Sequence, residues 1–333
     1  MSLLYSRTAS MLSSRTRGVL RVVTLSGAAL VFAACSPAPE TAQVTRYHCG
    51  ALPLISERQG QQLTLSFGDT PAAQTMTLQA TTSSSGERYV NAEKGAEFWR
   101  KGNEAQFSTA GFSLPLCLQE GTLPQQFSAR GNEPFWLVAV DGTEATLRTP
   151  GNEKPYPDIH LSSLVSIDST TFTLRLDDAT ELQLVDTICY DSMSGHSYPY
   201  TATLKTVSGD LPGCAGDTNM LISGASWQLH TTGIEFSEAP SLTFHSDQRV
   251  SGFAGCNYLT GSYQLSGEGI RFSPLAVTKR MCGPQVMAFE NEFLRQLSQA
   301  SGLKVFPDNT LQLRLRNGDF VHLYQTDLKL WRE

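Results

Sequence analysis

Apolar side chains in this chain recur mostly at every second position. Leu63, Leu65 and Phe67 alternate with polar neighbours, and Met76 and Leu78 continue the pattern. Phe172, Leu174 and Leu176 repeat it, followed by Leu182 and Leu184. Leu242 with Phe244, and Leu311 with Leu313 and Leu315, carry it towards the end. A period of two puts alternate side chains on one face of a strand, so these runs predict antiparallel strands with one face buried. Clusters of Gly, Asp, Asn and Ser separate them, as barrels and sandwiches of short strands require. One stretch has a helical period instead. Val286, Phe289, Phe293, Leu297 and Ala300 share a face, with Pro284 near the start and Gly302 expected at the end. The expected fold is mainly β: three small antiparallel β-barrel or sheet domains, the last with one packed α-helix.

The first residues follow a different logic. Residues 1–34 carry Arg7, Arg15, Arg17 and Arg21 and no acid, and 22–34 is an apolar run of 13 residues. That run is too short to span a bilayer, which takes about 20 residues. It has instead the layout of a secretory signal, with Met1 or Met11 as the start. Phe32-Ala33-Ala34-Cys35 resembles the lipobox of bacterial lipoproteins. The resemblance implies cleavage before Cys35, lipidation of its thiol and new N-terminus, and, with Ser36 following, an outer-membrane location facing the periplasm. Several acyl chains at about 0.8 kcal/mol per buried CH₂ anchor stably where one does not. Residues 35–44, rich in Pro and Ala, read as the lipidated tether.

Charge and cysteine usage narrow the partners. The chain is 40% hydrophobic and 17% charged with a net charge of −6, which excludes coiled-coil, collagenous and wholly disordered classes. Residues 121–218 hold 13 acids against 5 bases, and no basic stripe with interleaved aromatics occurs, so no nucleic-acid partner is expected. With Cys35 set aside, six of the seven cysteines remain, an even number suited to an oxidising compartment. Six allow fifteen pairings, and their grouping in twos makes one bridge per domain the simplest: Cys49–Cys117, Cys189–Cys214 and Cys256–Cys282. No CxxC pair or His–Cys cluster points to a metal, and no cofactor motif is present.

Residues 45–120 carry the sharpest motif set: Tyr47-His48-Cys49, Ser85-Gly86-Glu87-Arg88-Tyr89, Phe98-Trp99-Arg100-Lys101-Gly102-Asn103-Glu104-Ala105, and a closing Cys117. In order and spacing the segment resembles the membrane-bound inhibitors of C-type lysozyme. That resemblance implies a small antiparallel barrel in which Ser85 and Lys101, from two adjacent loops, enter the lysozyme cleft, with Gly86 and Tyr89 beside them. The chemistry is coherent by itself. A C-type lysozyme cuts glycosidic bonds with one protonated acid and one ionised carboxylate. A plug should offer a hydroxyl to the first and a cation to the second. Ser85 supplies the hydroxyl next to a glycine that permits close approach, and Lys101 supplies three ammonium donors.

Residues 219–333 resemble the META/HslJ-like domain through Trp227-Gln228-Leu229, Gly252-Phe253-Ala254-Gly255-Cys256-Asn257-Tyr258, Gly261-Ser262-Tyr263 and Thr278-Lys279-Arg280-Met281-Cys282. Such domains occur in envelope proteins linked to stress, and no enzymatic activity is implied. Asn257 and Tyr258 are expected to be structural. Residues 121–218 resemble an uncharacterised envelope-lipoprotein domain. There Arg130 and Glu133, in Arg130-Gly131-Asn132-Glu133-Pro134-Phe135-Trp136, could form a ligand pair, although a core Trp136 is the simpler expectation. His196 near Asp191 and Ser194 invites a hydrolase reading, yet no nucleophile elbow or oxyanion loop accompanies them. The expected function is therefore non-enzymatic, a lysozyme-inhibiting lipoprotein that protects peptidoglycan. The alternative is a binding or scaffold lipoprotein of the envelope stress response that has lost the plug.

Overall fold

The computed structural model describes residues 41–326 apart from 69, 71–72, 111, 167–168, 231–232 and 268. The expected signal, Cys35 and most of the tether lie outside the described residues. The fold is mainly β, with strand at 58% and helix at 7%.

The N-terminal sheet closes on itself. Its strands are β1 (Gln43–Cys49), β2 (Leu52–Gln59), β3 (Gln62–Phe67), β4 (Gln74–Thr81), β5 (Glu87–Asn91), β6 (Ala96–Lys101), β7 (Glu104–Thr109), β8 (Phe112–Ser113) and β9 (Cys117–Gln119). β1 to β6 run as an antiparallel meander, β6 pairs with β7, and β9 bridges β7 back to β1. This makes an eight-stranded barrel, with the two-residue β8 appended to β7. Closure leaves the barrel proper without an unpaired edge. The alternation read from the sequence fills the inside: Leu54, Leu63, Leu65, Phe67, Leu78, Phe98 and Phe107 are buried there.

The middle sheet has nine strands between residues 126 and 215 and stays open as a half-barrel, with Asn152–Tyr156 and His160–Val165 at its edges. Trp136 is fully buried in its core. The C-terminal sheet runs from Ser226–Leu229 to Phe320–Thr326 and is a nearly closed barrel. Helix Pro284–Ser298 seals it with Phe293 and Leu297.

Two details differ from expectation. The helix stops at Ser298, and Ala300 heads strand Ala300–Val305, where Gly302 sits at a register shift instead of capping the helix. A second helix, Asn219–Ile222, has only four residues, too few for a period to show in the sequence. All three expected disulfides are formed.

The three sheets belong to one compact unit. Tyr190, on the short strand Cys189–Tyr190 that pairs with Ser197–Tyr198 beside the middle sheet, donates its hydroxyl hydrogen to the Val305 carbonyl of the last sheet at 3.1 Å. Ala51 N–H donates to Ser223 at 2.8 Å, and Gln325 Nε2 donates to Ala51 at 2.9 Å, joining the last and first.

Asn257 explains much of the C-terminal motif. It is almost fully buried, and its Nδ2 donates to Glu290 Oε1 at 2.9 Å and to the Arg280 carbonyl at 3.2 Å. Its Oδ1 accepts from Thr278 Oγ1 at 2.8 Å and from Arg280 N–H at 2.6 Å. Glu290 Oε2 in turn accepts the N–H groups of Cys256 and Asn257. One side chain thus staples the Cys256 turn, the Cys282 strap and the helix together. Removing it leaves buried donors and acceptors unmet, each at roughly 1–3 kcal/mol. Asn257→Ala is expected to cost about 2 kcal/mol, read as a lower urea midpoint at unchanged m-value.

Candidate functional site

Ser85 lies in the loop between β4 and β5, and Lys101 ends β6 at the hairpin to β7. β5 and β6 pair with Glu87 opposite Arg100, so the two segments meet at the same end of the barrel. Gly86 ties them. Its φ of +69° suits glycine, and a Cβ there would strike the Arg100 carbonyl oxygen and lie 3.2 Å from Lys101 Cβ. A side chain at this position would drive the two loops apart.

Both loops are fixed by backbone bonds that leave their side chains free. Trp99 Nε1 donates to the Ser85 carbonyl at 2.9 Å, and Ser83 Oγ donates to the same oxygen at 2.6 Å. The Ser85 hydroxyl is exposed and makes no hydrogen bond among the described residues. In the β6–β7 hairpin the loop residues are Gly102 and Asn103, with Lys101 paired to Glu104. Gly102 has a φ of +61°, the glycine-first pattern of a type II′ turn. Lys101 is exposed and, among the described residues, forms no ion pair or hydrogen bond.

Beneath the loops lies an ionic cluster. Glu87 accepts from Arg100 at 2.8 Å and from the Tyr89 hydroxyl at 2.6 Å, with Arg58 at 3.6 Å. Arg100, helped by Tyr89 and Arg58, holds the Glu87 carboxyl below its ordinary value of 4.5. Burial and the neighbouring Glu87 carboxylate push the Tyr89 hydroxyl up to about 12, so it stays protonated and donating. Tyr89 is buried and points its hydroxyl at Glu87. It lies under the loop, whereas Ser85, Gly86 and Lys101 lie on the surface.

The cluster gives the barrel a pH dependence of definite sign. Glu87 has a folded-state pKa below its unfolded one, so its contribution is complete above 4.5 and is lost as pH falls through the folded value. Glu97, lowered by Arg88 on the next strand, acts in the same direction. The barrel's urea midpoint is expected to hold between about pH 7 and 5 and to fall below about 4.5, and Glu87→Gln should shrink that fall.

Other candidate groups do not assemble. Arg130 and Glu133 form no ion pair, and Glu133 is exposed before a cis Pro134. Ser194 Oγ donates to Asp191 at 2.8 Å, and Asp191 also accepts from the N–H groups of Met193 and Ser194 and from Asn132 Nδ2. That carboxylate fixes its own loop. The His196 ring touches neither residue's polar atoms, so no triad forms. Among the described residues no group of three or more His, Cys, Asp or Glu side chains could hold a metal.

The clamp by Trp99 and the cluster around Glu87 were not foreseen. Their residues are separated along the chain, and only the β5–β6 register brings Glu87 opposite Arg100.

The first sheet is thus a closed small barrel with the Ser85 hydroxyl and the Lys101 ammonium exposed on touching loops. Residues 47–112 match the family model described as membrane-bound lysozyme-inhibitor of c-type lysozyme, and residues 220–327 match the META domain. The chain therefore contains a domain of the lysozyme-inhibitor family, which is membrane-bound, and a META domain; neither is an enzyme family. No curated protein matches the sequence. Among solved structures, an NMR structure of a protein from Burkholderia xenovorans is 25% identical, covering 32% of this chain and 83% of its own, at a TM-score of 0.28. The DNA polymerase III β subunit of Thermotoga maritima is 10% identical over 89% of this chain and 93% of its own, at a TM-score of 0.11.

Proposed function

We propose that this chain is an outer-membrane lipoprotein, anchored through Cys35 and facing the periplasm, that protects peptidoglycan by inhibiting C-type lysozyme. In this reading residues 45–120 form the inhibitor, and 121–218 and 219–333 are accessory domains. The observation that carries it is the pair of free polar groups, the Ser85 hydroxyl and the Lys101 ammonium, on loops held in contact at Gly86.

The lysozyme cleft presents a protonated acid and an ionised carboxylate a few ångströms apart. Lys101 pairs with the carboxylate and Ser85 bonds the acid. Both charges are desolvated as the loop enters, which strengthens a bond that would be weak on an open surface. Gly86 lets the backbone approach the cleft wall. Trp99, Glu87 and Tyr89 hold the loop in place before binding, so little ordering entropy is lost on association.

The direct test adds the full chain, in detergent micelles, to a C-type lysozyme digesting a cell-wall suspension. Inhibition that saturates near one inhibitor per enzyme is expected. An undiminished rate in excess oxidised, folded protein would overturn the proposal.

A further inference from the structure

A second cleft, of about 730 Å³, opens between the middle half-barrel and the 265–267 turn of the C-terminal sheet. Arg130, His196, Tyr198 and Asp217 line it from the middle-domain side. We propose that this cleft binds a small zwitterion, an amino acid or short peptide, whose carboxylate meets Arg130 and His196 and whose ammonium meets Asp217.

His196 is the first observation. It is only 3% exposed, its ring packs edge-on against Tyr198 at 5.6 Å, and among the described residues neither ring nitrogen makes a hydrogen bond. The ring lines the cleft, so its nitrogens are available to a ligand atom there. Burial, with Arg130 adding to it, holds the ring below its ordinary 6.5, so it is neutral at pH 7, with one donor and one acceptor to offer.

Arg130 is the second. Its guanidinium lies 5.2 Å from the centre of the Tyr198 ring and makes one long hydrogen bond, 3.5 Å to Ser128 Oγ, with no ion pair. A guanidinium carries five N–H donors in a fork that matches a carboxylate, so most of this one's capacity is unspent.

Asp217 supplies the opposite charge. Asp217 is exposed at the cleft's rim; one of its oxygens accepts from Asn219 N and Nδ2, and the other has no partner among the described residues. Both Arg130 and Asp217 act on the His196 ring electrostatically, yet they do not pair with each other. A second carboxylate, Asp141, also lines the cleft and accepts from Gln126 Nε2 at 3.0 Å; a cleft that keeps Arg130 apart from its anions favours a dipolar occupant. A simple anion would be repelled by Asp217 and a simple cation by Arg130. Phe127, Met220 and Leu265 give it an apolar wall for a short side chain.

The test is calorimetric titration of the full chain in detergent with L-alanyl-L-alanine, propionate and ethylamine, with the His196 ring resonances followed in parallel. The dipeptide is expected to bind and to shift those resonances, and Arg130→Gln and Asp217→Asn should each weaken it by at least about tenfold. Arg148→Gln, the same charge change at an exposed site, should leave binding unchanged. Near-UV circular dichroism checks that each variant is folded. If Arg130→Gln does not fold, Arg130→Lys replaces it, because it keeps the charge, loses the fork and should still weaken binding. Absence of both heat and resonance shifts at about 10 mM dipeptide would overturn the proposal. So would propionate or ethylamine binding as tightly as the dipeptide, or dipeptide binding that survives loss of the Arg130 fork.

Discussion

Lys101→Ala is expected to weaken lysozyme inhibition by roughly ten- to a hundredfold, with no change in the barrel's own stability. The size follows from what the ammonium does on each side of the binding equilibrium. In the free protein it is exposed and has no partner, so its removal costs the barrel nothing that holds it together. In the complex it faces a desolvated carboxylate, and a hydrogen bond to a charged group contributes about 1.5–3 kcal/mol. At about 1.4 kcal/mol per factor of ten, that is the stated range. Ser85→Ala should cost less, about threefold to tenfold, because its partner is neutral and a neutral bond is worth about 0.5–1.5 kcal/mol. The pair reports more than either alone. Both groups enter one cleft, so a double-mutant cycle should show coupling rather than simple addition. Lys94→Ala, on the β5–β6 turn at the other end of that hairpin, should leave inhibition intact. Equal loss in Lys94→Ala and Lys101→Ala would mean that net charge, not the plug, drives association.

The salt dependence follows from the same geometry. The part of the affinity that depends on Lys101 is desolvated and little screened, while long-range steering by the surface charges of this acidic chain is screened within a Debye length of about 8 Å at physiological ionic strength. Added salt should therefore slow association more than it speeds dissociation.

How legible this molecule is from its sequence depends on the range of the interaction. Strand alternation is a local property, and Leu63, Leu65 and Phe67 sit inside the barrel as their spacing predicts. The positions of Ser85 and Lys101 on exposed turns are also local, because Gly86 and Gly102 mark where the chain must adopt positive φ. Register is not local. That Glu87 lies opposite Arg100, that Trp99 reaches back to the Ser85 carbonyl, and that β9 returns to pair with β1 depend on how strands separated along the chain align. The C-terminal helix fails at its end for a related reason. Ala300 continues the helical face in sequence, but pairing with Leu315 captures it into a strand, and tertiary pairing overrides the period. His196, Asp191 and Ser194 are neighbours in the chain, and only that proximity suggests a shared site. The folded loop turns the carboxylate onto its own backbone and the ring towards Tyr198 and the cleft.

Cys49→Ala combined with Cys117→Ala is expected to cost the N-terminal barrel about 4 kcal/mol, the largest stability effect foreseen here. The two residues are fully buried and stand directly opposite each other where β1 meets β9. β9 is only three residues long, yet it alone bridges β7 to β1, so the ring closes through a short segment. The bridge spans a separation of 68 residues, and the chain-entropy model assigns a loop of that length about 4 kcal/mol through restriction of the unfolded chain. A small domain holds 5–15 kcal/mol in all, so the variant should remain folded at 25 °C with its urea midpoint sharply lowered. Ser85 lies on the β4–β5 loop away from the β1–β9 seam, but the Lys101 hairpin rests on β9, with Glu104 opposite Leu118 and the Asn103 carbonyl accepting from Gln119 N–H at 2.8 Å, so inhibition at 25 °C should persist only while β9 stays paired. It should then be lost on warming well before that of the parent protein. Removing Cys256 and Cys282 provides the contrast. That bridge spans 26 residues, for about 3.5 kcal/mol, and its loss should destabilise the C-terminal barrel while inhibition is untouched at every temperature where the first barrel survives. An unchanged midpoint in the Cys49/Cys117 variant would mean that backbone pairing of β9 closes the ring unaided. Loss of inhibition in the Cys256/Cys282 variant at 25 °C would mean that the C-terminal domain takes part in binding the enzyme.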